Sequence, residues 1–383
     1  MEIVFLFLIF VIVHSYLFYP VIIKVISLFF KKEKFESNDQ LTVSVIISVY
    51  NEGKVINDRI SNIANLNYDF TKIEVLVGSD CSTDRTNQIL DELKSIYPWL
   101  AVFLFEKRRG KVSVLNDLVK KAKNEIILFT DANTVFDRDI IPSLILNFND
   151  PVIGGVSGRL KLIERGNNSE NKTEEKKYWE YETVIKRHEG KCGVLIGANG
   201  GIFAIRKNLF KEIPIERPVT DDLFISLAVL QQNYKFVYES NAVAFEEVAP
   251  KFIDEFKRKI RFGATNFHTL IYFRSLLFNK NILLSYSLWA HKVSRWLTPI
   301  LLILIFLLNI ILFDKAELYR VLLLLQLSFL LLAGLGILLK KINIYISPLV
   351  MIFYFLMTNV ALLIGLFKFF FGKQTAFWQS TPR

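Results

Sequence analysis

Four clusters of polar residues stand where β-rich runs end in the first 135 residues: Tyr50-Asn51-Glu52, Asp80, Lys107–Lys111 and Asp131-Ala132-Asn133. Carboxylates at some of these ends and cations at another suit a nucleotide whose phosphates are met by a metal ion and a lysine. Asp-rich segments also follow strands for turn reasons alone, because Asp bonds its own backbone. What separates the two readings is whether all four clusters meet at one edge. Further on, Thr220-Asp221-Asp222 sets adjacent carboxylates at the start of a helical stretch. There the helix dipole favours negative charge, and burial by a bound partner would oppose it.

The elements that must position these residues are readable as period-2 and period-3.6 patterns. Val43–Val49, Ile73–Ser79, Ala101–Phe105 and Glu125–Thr130 are apolar enough to be strands buried on both faces. Helical stretches separate them, to about 66, from Asp84 to about 96 with Ser82 or Thr83 as N-cap, and from Gly110-Lys111 to about 123. Such alternation predicts an α/β domain with a mostly parallel sheet covered on both faces. In sheets of that kind ligands bind outside the strands' carboxyl ends, where the four clusters fall.

The 383 residues are 52% hydrophobic, include 34 Phe, and carry 47 basic against 37 acidic side chains, a balance of +10. The distribution is uneven, with charge in the middle and Leu, Ile and Phe at both ends, which excludes a disordered chain and argues for membrane segments. Residues 1–30 are an almost unbroken apolar run, read as an uncleaved anchor because the chain starts Met1-Glu2 and the run closes on Lys31, Lys32 and Lys34. Runs at about 296–313, 317–339 and 345–371 also reach spanning length. The piece 280–295 mixes Tyr286, Trp289, His291, Lys292 and Arg295 with Leu and Ile, and reads as an interfacial helix, with a buried amphipathic helix as the alternative. One crossing before and three after the middle place 31–295 on the cytosolic side. Lys340-Lys341 then falls inside, while Lys368, Lys373 and Arg383 fall outside, against the positive-inside bias. One apolar run lying in the interface or re-entering would remove that conflict. The sequons at Asn167 and Asn171 would be chance matches in a cytosolic middle.

Cys81 and Cys192 are far apart and read as reduced thiols, and His14, His188, His268 and His291 form no zinc-ligand spacing. No nucleic-acid-binding pattern is present. The long apolar runs carry no paired charges, which disfavours a transporter without chemistry. The charged segment 165–190 reads as a solvated insertion, or else as an element whose Tyr178, Trp179 and Tyr181 touch an acceptor.

SVYNEG at 48–53, SDCSTDRT at 79–86, RRGKVSVLN at 108–116, TDAN at 130–133, GANGGIFAIR at 197–206, VTDD at 219–222 and RKIRF at 258–262 resemble, in order, the motifs of family 2 glycosyltransferases with the GT-A fold. The likeness covers about 41–270, and the flanking helices are similar to those of the membrane-bound hyaluronan, cellulose and poly-N-acetylglucosamine synthases. It implies a domain at 41–275, with a nucleotide half at 41–135 and an acceptor half at 136–275, flanked by transmembrane helices at 296–371 and a tail at 372–383. It further implies an inverting transfer from a nucleotide-sugar, UDP-linked, to a growing polysaccharide or lipid-linked glycan at the cytosolic face of a bacterial-type inner or plasma membrane. Membrane lipids, and an export partner or oligomer, would be its other partners.

By the same resemblance Tyr50, Glu52, Asp80, Lys111 and Asp131 would bind nucleotide, and Asp131 with Asn133 would hold Mg2+ or Mn2+. Asn133 stands where the family's second carboxylate stands, and an amide oxygen is a weaker ligand of the same hard kind. Asp222 would be the base, with Asp221, Gly200, Arg258, Arg261 and Phe262 serving acceptor or diphosphate. The family's Q-x-x-R-W appears as Arg258…Arg261-Phe262, without the Gln and Trp that accompany processive synthesis, so one or a few transfers are as consistent as a long polymer. A membrane scaffold with a degenerate nucleotide-sugar fold is the non-catalytic alternative.

Overall fold

A computed structural model describes residues 1–31, 41–163, 172–247, 252–341, 344 and 346–372. Lys32, Lys34, Asn167, Asn171 and the 373–383 tail with Lys373 and Arg383 lie outside the described residues.

Among the described residues eight strands form one sheet: β1 Val43–Val49, β2 Ile73–Asp80, β3 Leu100–Phe105, β4 Ile126–Thr130, β5 Val135–Phe136, β6 Ile153–Ile163, β7 Phe203–Arg206 and β8 Lys235–Glu247, in the order β3-β2-β1-β4-β7-β6-β8-β5. β1 pairs in parallel with β2 and β4, β2 with β3, and β6 with β8, while β7 and β5 run against their neighbours. The four strands expected from the sequence are thus the parallel half, within a residue or two at each end. β1, β2 and β4 are buried on both faces, as their unbroken apolar runs require, while β3 at the sheet edge is half-exposed beyond Leu100. Val43, Val45, Ile47 and Val49 meet the helices Ile56–Ala64 and Thr86–Ile96 on one side. Ile46, Leu76, Ile127 and Phe129 meet Lys111–Lys121 and Asp221–Gln231 on the other.

The second face does not stop at soluble helices. Tyr19 and Ile23 from the N-terminal helix, Leu284, Leu288 and Trp296 from the run after 280, and Leu366 from the last helix join the same core. Among the described residues, four helical runs are long and apolar enough to cross a membrane: Glu2–Ser27, Ile282–Leu312, Glu317–Leu339 and Ser347–Phe370. The piece at 280–295 follows its alternative reading as a buried helix rather than the interfacial one. Residues from Ile282 onward continue, through a π-helical turn at Leu288–Val293, into the Ser294–Leu312 helix. Leu284, Leu288 and Ala290 are buried in the apolar core, and His291 and Arg295 are buried with them because their polar groups find partners on another helix.

The amphipathic helix Phe252–Tyr272 lies along Ser347–Phe370, with Gly263 and Gly365 at the crossing. A Cβ on Gly365 would come within 2.5 Å of the Ile260 carbonyl oxygen, so the two backbones pass at a separation only glycine permits. One candidate span is therefore pressed directly against the helix that follows β8.

Candidate active site

The clusters at the parallel strand ends do converge. The Asp80 carboxylate, buried at the end of β2, accepts from the backbone N–H groups of Arg109 (2.7 Å) and Gly110 (2.8 Å). Asp80 thus organises the loop that opens the Lys111 helix, a backbone-holding task its sequence position did not disclose. Ser82 and Thr83 do not cap the helix at Thr86; they receive the preceding loop instead. Ser82 Oγ accepts from Asn51 N–H at 3.1 Å, and Thr83 N–H donates to Asn51 Oδ1 at 2.8 Å. Asp84 takes the capping role, accepting from Thr86 N–H at 3.0 Å and from Gly53 N–H at 3.1 Å. The Tyr50 ring carries the Arg108 guanidinium 3.8 Å above its centroid, and Glu52 lines the adjoining cleft. Cys81 adopts φ 60°, a left-handed conformation that costs a residue with a Cβ but not glycine.

Lys111 occupies the centre. Its ammonium lies 2.9 Å from Asp131 Oδ1 and 2.9 Å from Asp221 Oδ2, joining the end of β4 to the start of the Asp221–Gln231 helix. Burial alone would make the ammonium lose its proton more easily; Asp131 and then Asp221 outweigh that and hold it firmly charged. Burial likewise opposes ionisation of Asp221, but Lys111 prevails and lowers it. Its neighbour behaves oppositely: burial, and then the Asp221 charge, push Asp222 up to about 6. Two adjacent carboxylates are thereby driven apart, one lowered beside its lysine and one raised to about 6, which is the division expected where one anchors and the other exchanges a proton.

The loop ahead of these aspartates is fastened to the Phe252–Tyr272 helix. Thr220 bonds Thr265 Oγ1 (2.6 Å), Asn266 Oδ1 (2.7 Å) and, through its N–H, Thr269 Oγ1 (3.0 Å). That brings Arg261 toward Asp221, whose charge resists the burial that lowers the guanidinium to about 10. Phe262 stands in the same cleft with its ring 5.3 Å from the Arg261 guanidinium, and Arg258 pairs with Glu255 at 2.5 Å. Gly200 lies over Asp222; a Cβ there would be 3.1 Å from Oδ2.

The fit to a metal ion follows from the donors present. Asp131 and Asn133 offer hard oxygens at the cleft edge, and among the described residues no group of three His, Cys, Asp or Glu side chains could hold a metal. A cation here would have to complete its shell from diphosphate oxygens, which is how Mg2+ sites are commonly built.

Every residue proposed from the sequence except Tyr50 and Asp80 lines one cleft of about 910 Å3, and those two hold its loops. The cleft runs from Glu52 and Asp84, past Asp131 and Asp222, to Met351, Tyr354 and Phe355 of the last helix. Three contributors stand outside the strand-end clusters and motifs. Arg59, buried beneath β4, donates to Thr130 Oγ1 at 3.0 Å while Thr130 donates to the Gly201 carbonyl at 2.8 Å, tying the Asp131 turn to the glycine segment. The segment after 171 follows the second of its two readings rather than the solvated one: it is a helix, Lys172–Lys191, whose Tyr178, Trp179, Tyr181 and Lys186 line the cleft. Between it and the Ile282–Leu312 run sits a buried network: His291 Nδ1 is 2.6 Å from Glu189, its Nε2 is 3.0 Å from Glu182, Arg295 pairs with Glu182, and Tyr19 donates to Glu189 at 2.6 Å. Apolar periodicity registers such residues only as interruptions.

Residues 44–214 match the family model described as glycosyl transferase family 2. Among curated proteins the chain is 26% identical over 273 residues to a poly-beta-1,6-N-acetyl-D-glucosamine synthase of Staphylococcus epidermidis, covering 67% of this chain and 65% of that protein. It is 25% identical over 273 residues to the synthase of the same name from Staphylococcus aureus (strain COL), with the same coverage. The chain thus spans about 65% of the length of these curated relatives. A solved mannosyltransferase, PcManGT of Pyrobaculum calidifontis in complex with GDP-Man and Mn2+, superposes with TM-score 0.74 at 20% identity, covering 97% of this chain and 99% of that one. At that identity the likeness is one of fold, and it extends over the membrane-type helices as well as the sheet.

Proposed function

We propose that this chain, built around a family 2 glycosyltransferase domain at residues 44–214, transfers a sugar with inversion from a nucleoside diphosphate, UDP-linked, to a growing polysaccharide or lipid-linked glycan. The observation that carries the reading is the pair Asp221 and Asp222: one held ionised by Lys111, the other raised to about 6 in the same cleft. An acceptor hydroxyl poised at Asp222 loses its proton to that carboxylate as its oxygen bonds to the anomeric carbon. The bond from that carbon to the diphosphate breaks in the same displacement, so configuration inverts. A carboxylate with pKa near 6 is ionised at neutral pH yet still basic enough to help.

On the donor side Lys111 meets the departing diphosphate charge, with Arg261 nearby, and the loop held by Asp80 keeps Lys111 in place. Asp131 and Asn133 would hold Mg2+ or Mn2+, which when bound supplies Lewis-acid neutralisation of the diphosphate. Gly200 leaves room for an acceptor ring above Asp222, and Phe262 offers it an apolar surface. The cleft's continuation among Tyr178, Trp179, Tyr354 and Phe355 supports an acceptor that arrives along the membrane helices. The relatives that make poly-beta-1,6-N-acetyl-D-glucosamine support surface polysaccharide synthesis, with the sheet domain on the cytosolic side of a bacterial-type inner or plasma membrane. Four spans are few for a self-contained channel, so a further copy or partner would carry product outward.

The test is donor turnover by the detergent-purified protein with a panel of UDP- and GDP-sugars and Mn2+, read as released nucleotide. Turnover of a UDP-sugar that disappears in Asp222→Asn is expected. No turnover of any donor, with Asp222→Asn behaving as wild type, would sink the reading and favour a non-catalytic membrane scaffold.

A further inference from the structure

Lys186 also lines the cleft, and neither strand ends nor motifs point to it. It projects from the Lys172–Lys191 helix and is buried. Its ammonium donates to Asn199 Oδ1 at 2.6 Å and to the Ala198 carbonyl at 3.5 Å, and lies 5.6 Å from the Trp179 ring. Burial, and then the nearby Lys292, lower it to about 8.

The segment it grips is the one that covers Asp222. Ala198 N–H donates to Ser226 Oγ at 3.0 Å, from the helix that carries Asp222. Asn199 is fixed from the sheet through its N–H to Ser157 Oγ (3.0 Å) and its Nδ2 to the Gly158 carbonyl (2.7 Å). Gly200 then rests against the Asp222 carboxylate. Ser157, Gly158 and Ser226 are neutral, so Lys186 is the charged member of this set of fastenings. Its charge also reaches Asp222, where it favours the ionised form against burial and Asp221.

We propose that Lys186 is a positioning residue for sugar transfer: its ammonium seats the Ala198–Gly201 strap on Asp222 and holds that carboxylate in its proton-accepting form. This rests on Asp222 being the base. Asp222 faces Asp221 on its own helix, Lys111 and Lys186 from two others, and Arg261 from the Phe252–Tyr272 helix. Lys186 in turn faces Lys292, Glu182, Glu189 and Asp222. A neutral side chain at 186 removes one of the charges that oppose protonation of Asp222.

Lys186→Met, Lys186→Gln and Lys186→Arg separate charge from hydrogen bonding. In Met and Gln, kcat is expected to fall about tenfold or more, and the acid limb of the kcat profile to move up by roughly half to one pH unit. UDP affinity with Mn2+ should stay within about twofold, since nucleotide is held at the other edge. Arg should restore the limb. A limb unmoved in both neutral variants overturns the proposal, and Gln serves if Met fails to bind UDP.

An activity-free arm reads the same coupling. The difference in thermal midpoint between Asp222→Asn and its parent changes with pH as Asp222 titrates. That change should shift upward by the same interval in a Lys186→Gln background, and no shift overturns the proposal. Lack of turnover by the wild type would count against the transferase reading, while this second arm still decides the role of Lys186.

Discussion

The Lys111 ammonium contacts Asp221 at 2.9 Å although the two belong to opposite halves of the domain. Lys111 opens the helix after β3, and Asp221 opens a helix 110 positions later. Because Lys111 also holds Asp131, one side chain couples the end of β4 to the start of the Asp221–Gln231 helix. The cost of removing it falls on both halves.

Lys111→Met leaves two carboxylates facing each other without their shared cation. The lysine side chain is 23% exposed, so solvent softens the penalty. We expect a stability loss of about 1–3 kcal/mol, below the range for a fully buried pair. Transfer should fall at least about a hundredfold as a cation at the leaving diphosphate is lost. Thermal unfolding in detergent and initial rates check both; an active Lys111→Met would show that the bridge is structural only.

Asp222 ties activity and stability to pH with opposite signs. Its folded value of about 6 lies above the ordinary 3.8, so the stabilisation from its protonated form is complete below the ordinary value and lost as pH rises through about 6. At neutral pH the ionised group therefore costs roughly 2–3 kcal/mol. Asp222→Asn should raise the thermal midpoint at neutral pH, and by less near pH 5, while abolishing transfer. In the wild type, activity should drop with unit slope below about pH 6. A midpoint lowered at neutral pH would contradict this balance.

Cys81 sits at φ 60° directly after Asp80, with its Sγ 3.3 Å from the Glu106 carbonyl. Cys81→Gly removes the left-handed strain but adds chain entropy to the unfolded state, so stability should stay within about 1 kcal/mol and UDP binding should persist. Cys81→Val places a β-branched residue at positive φ and should cost about 1–2 kcal/mol or more. Equal stability of the two variants would rule out strain as the explanation.

Gly365→Val drives a side chain into the Ile260 carbonyl and the Gly263 Cα, 2.5 and 2.8 Å from where its Cβ would stand. Backbone cannot yield as a flexible side chain would, so the last helix must lift off the Phe252–Tyr272 helix. A loss of about 1–3 kcal/mol is expected. Transfer should suffer more than UDP binding, because Arg261 and the Thr220 anchors Thr265 and Thr269 lie on the displaced helix. Separate measurement of UDP affinity and turnover distinguishes this from global unfolding.

The sequence by itself determined the parallel core and much of the cleft. Apolar runs such as Val43–Val49 can be satisfied only by burial on both faces, and polar residues just after them must then gather at one edge. Glu52, Lys111 and Asp131 were legible for that reason, and Asp222 from its place at a helix start, since position relative to an element is local information. The long apolar helices were legible in the same way.

Tertiary structure alone decided what those side chains face. Asp80 turned out to hold backbone, and the run at 280–295 turned inward, because Glu182 and Glu189 wait for His291 and Arg295 more than 100 positions away. Arg59 and Lys186 look in sequence like ordinary solvated cations. What makes them consequential is burial beside Thr130 and Asn199, and desolvation exists only once distant segments have closed over a charge.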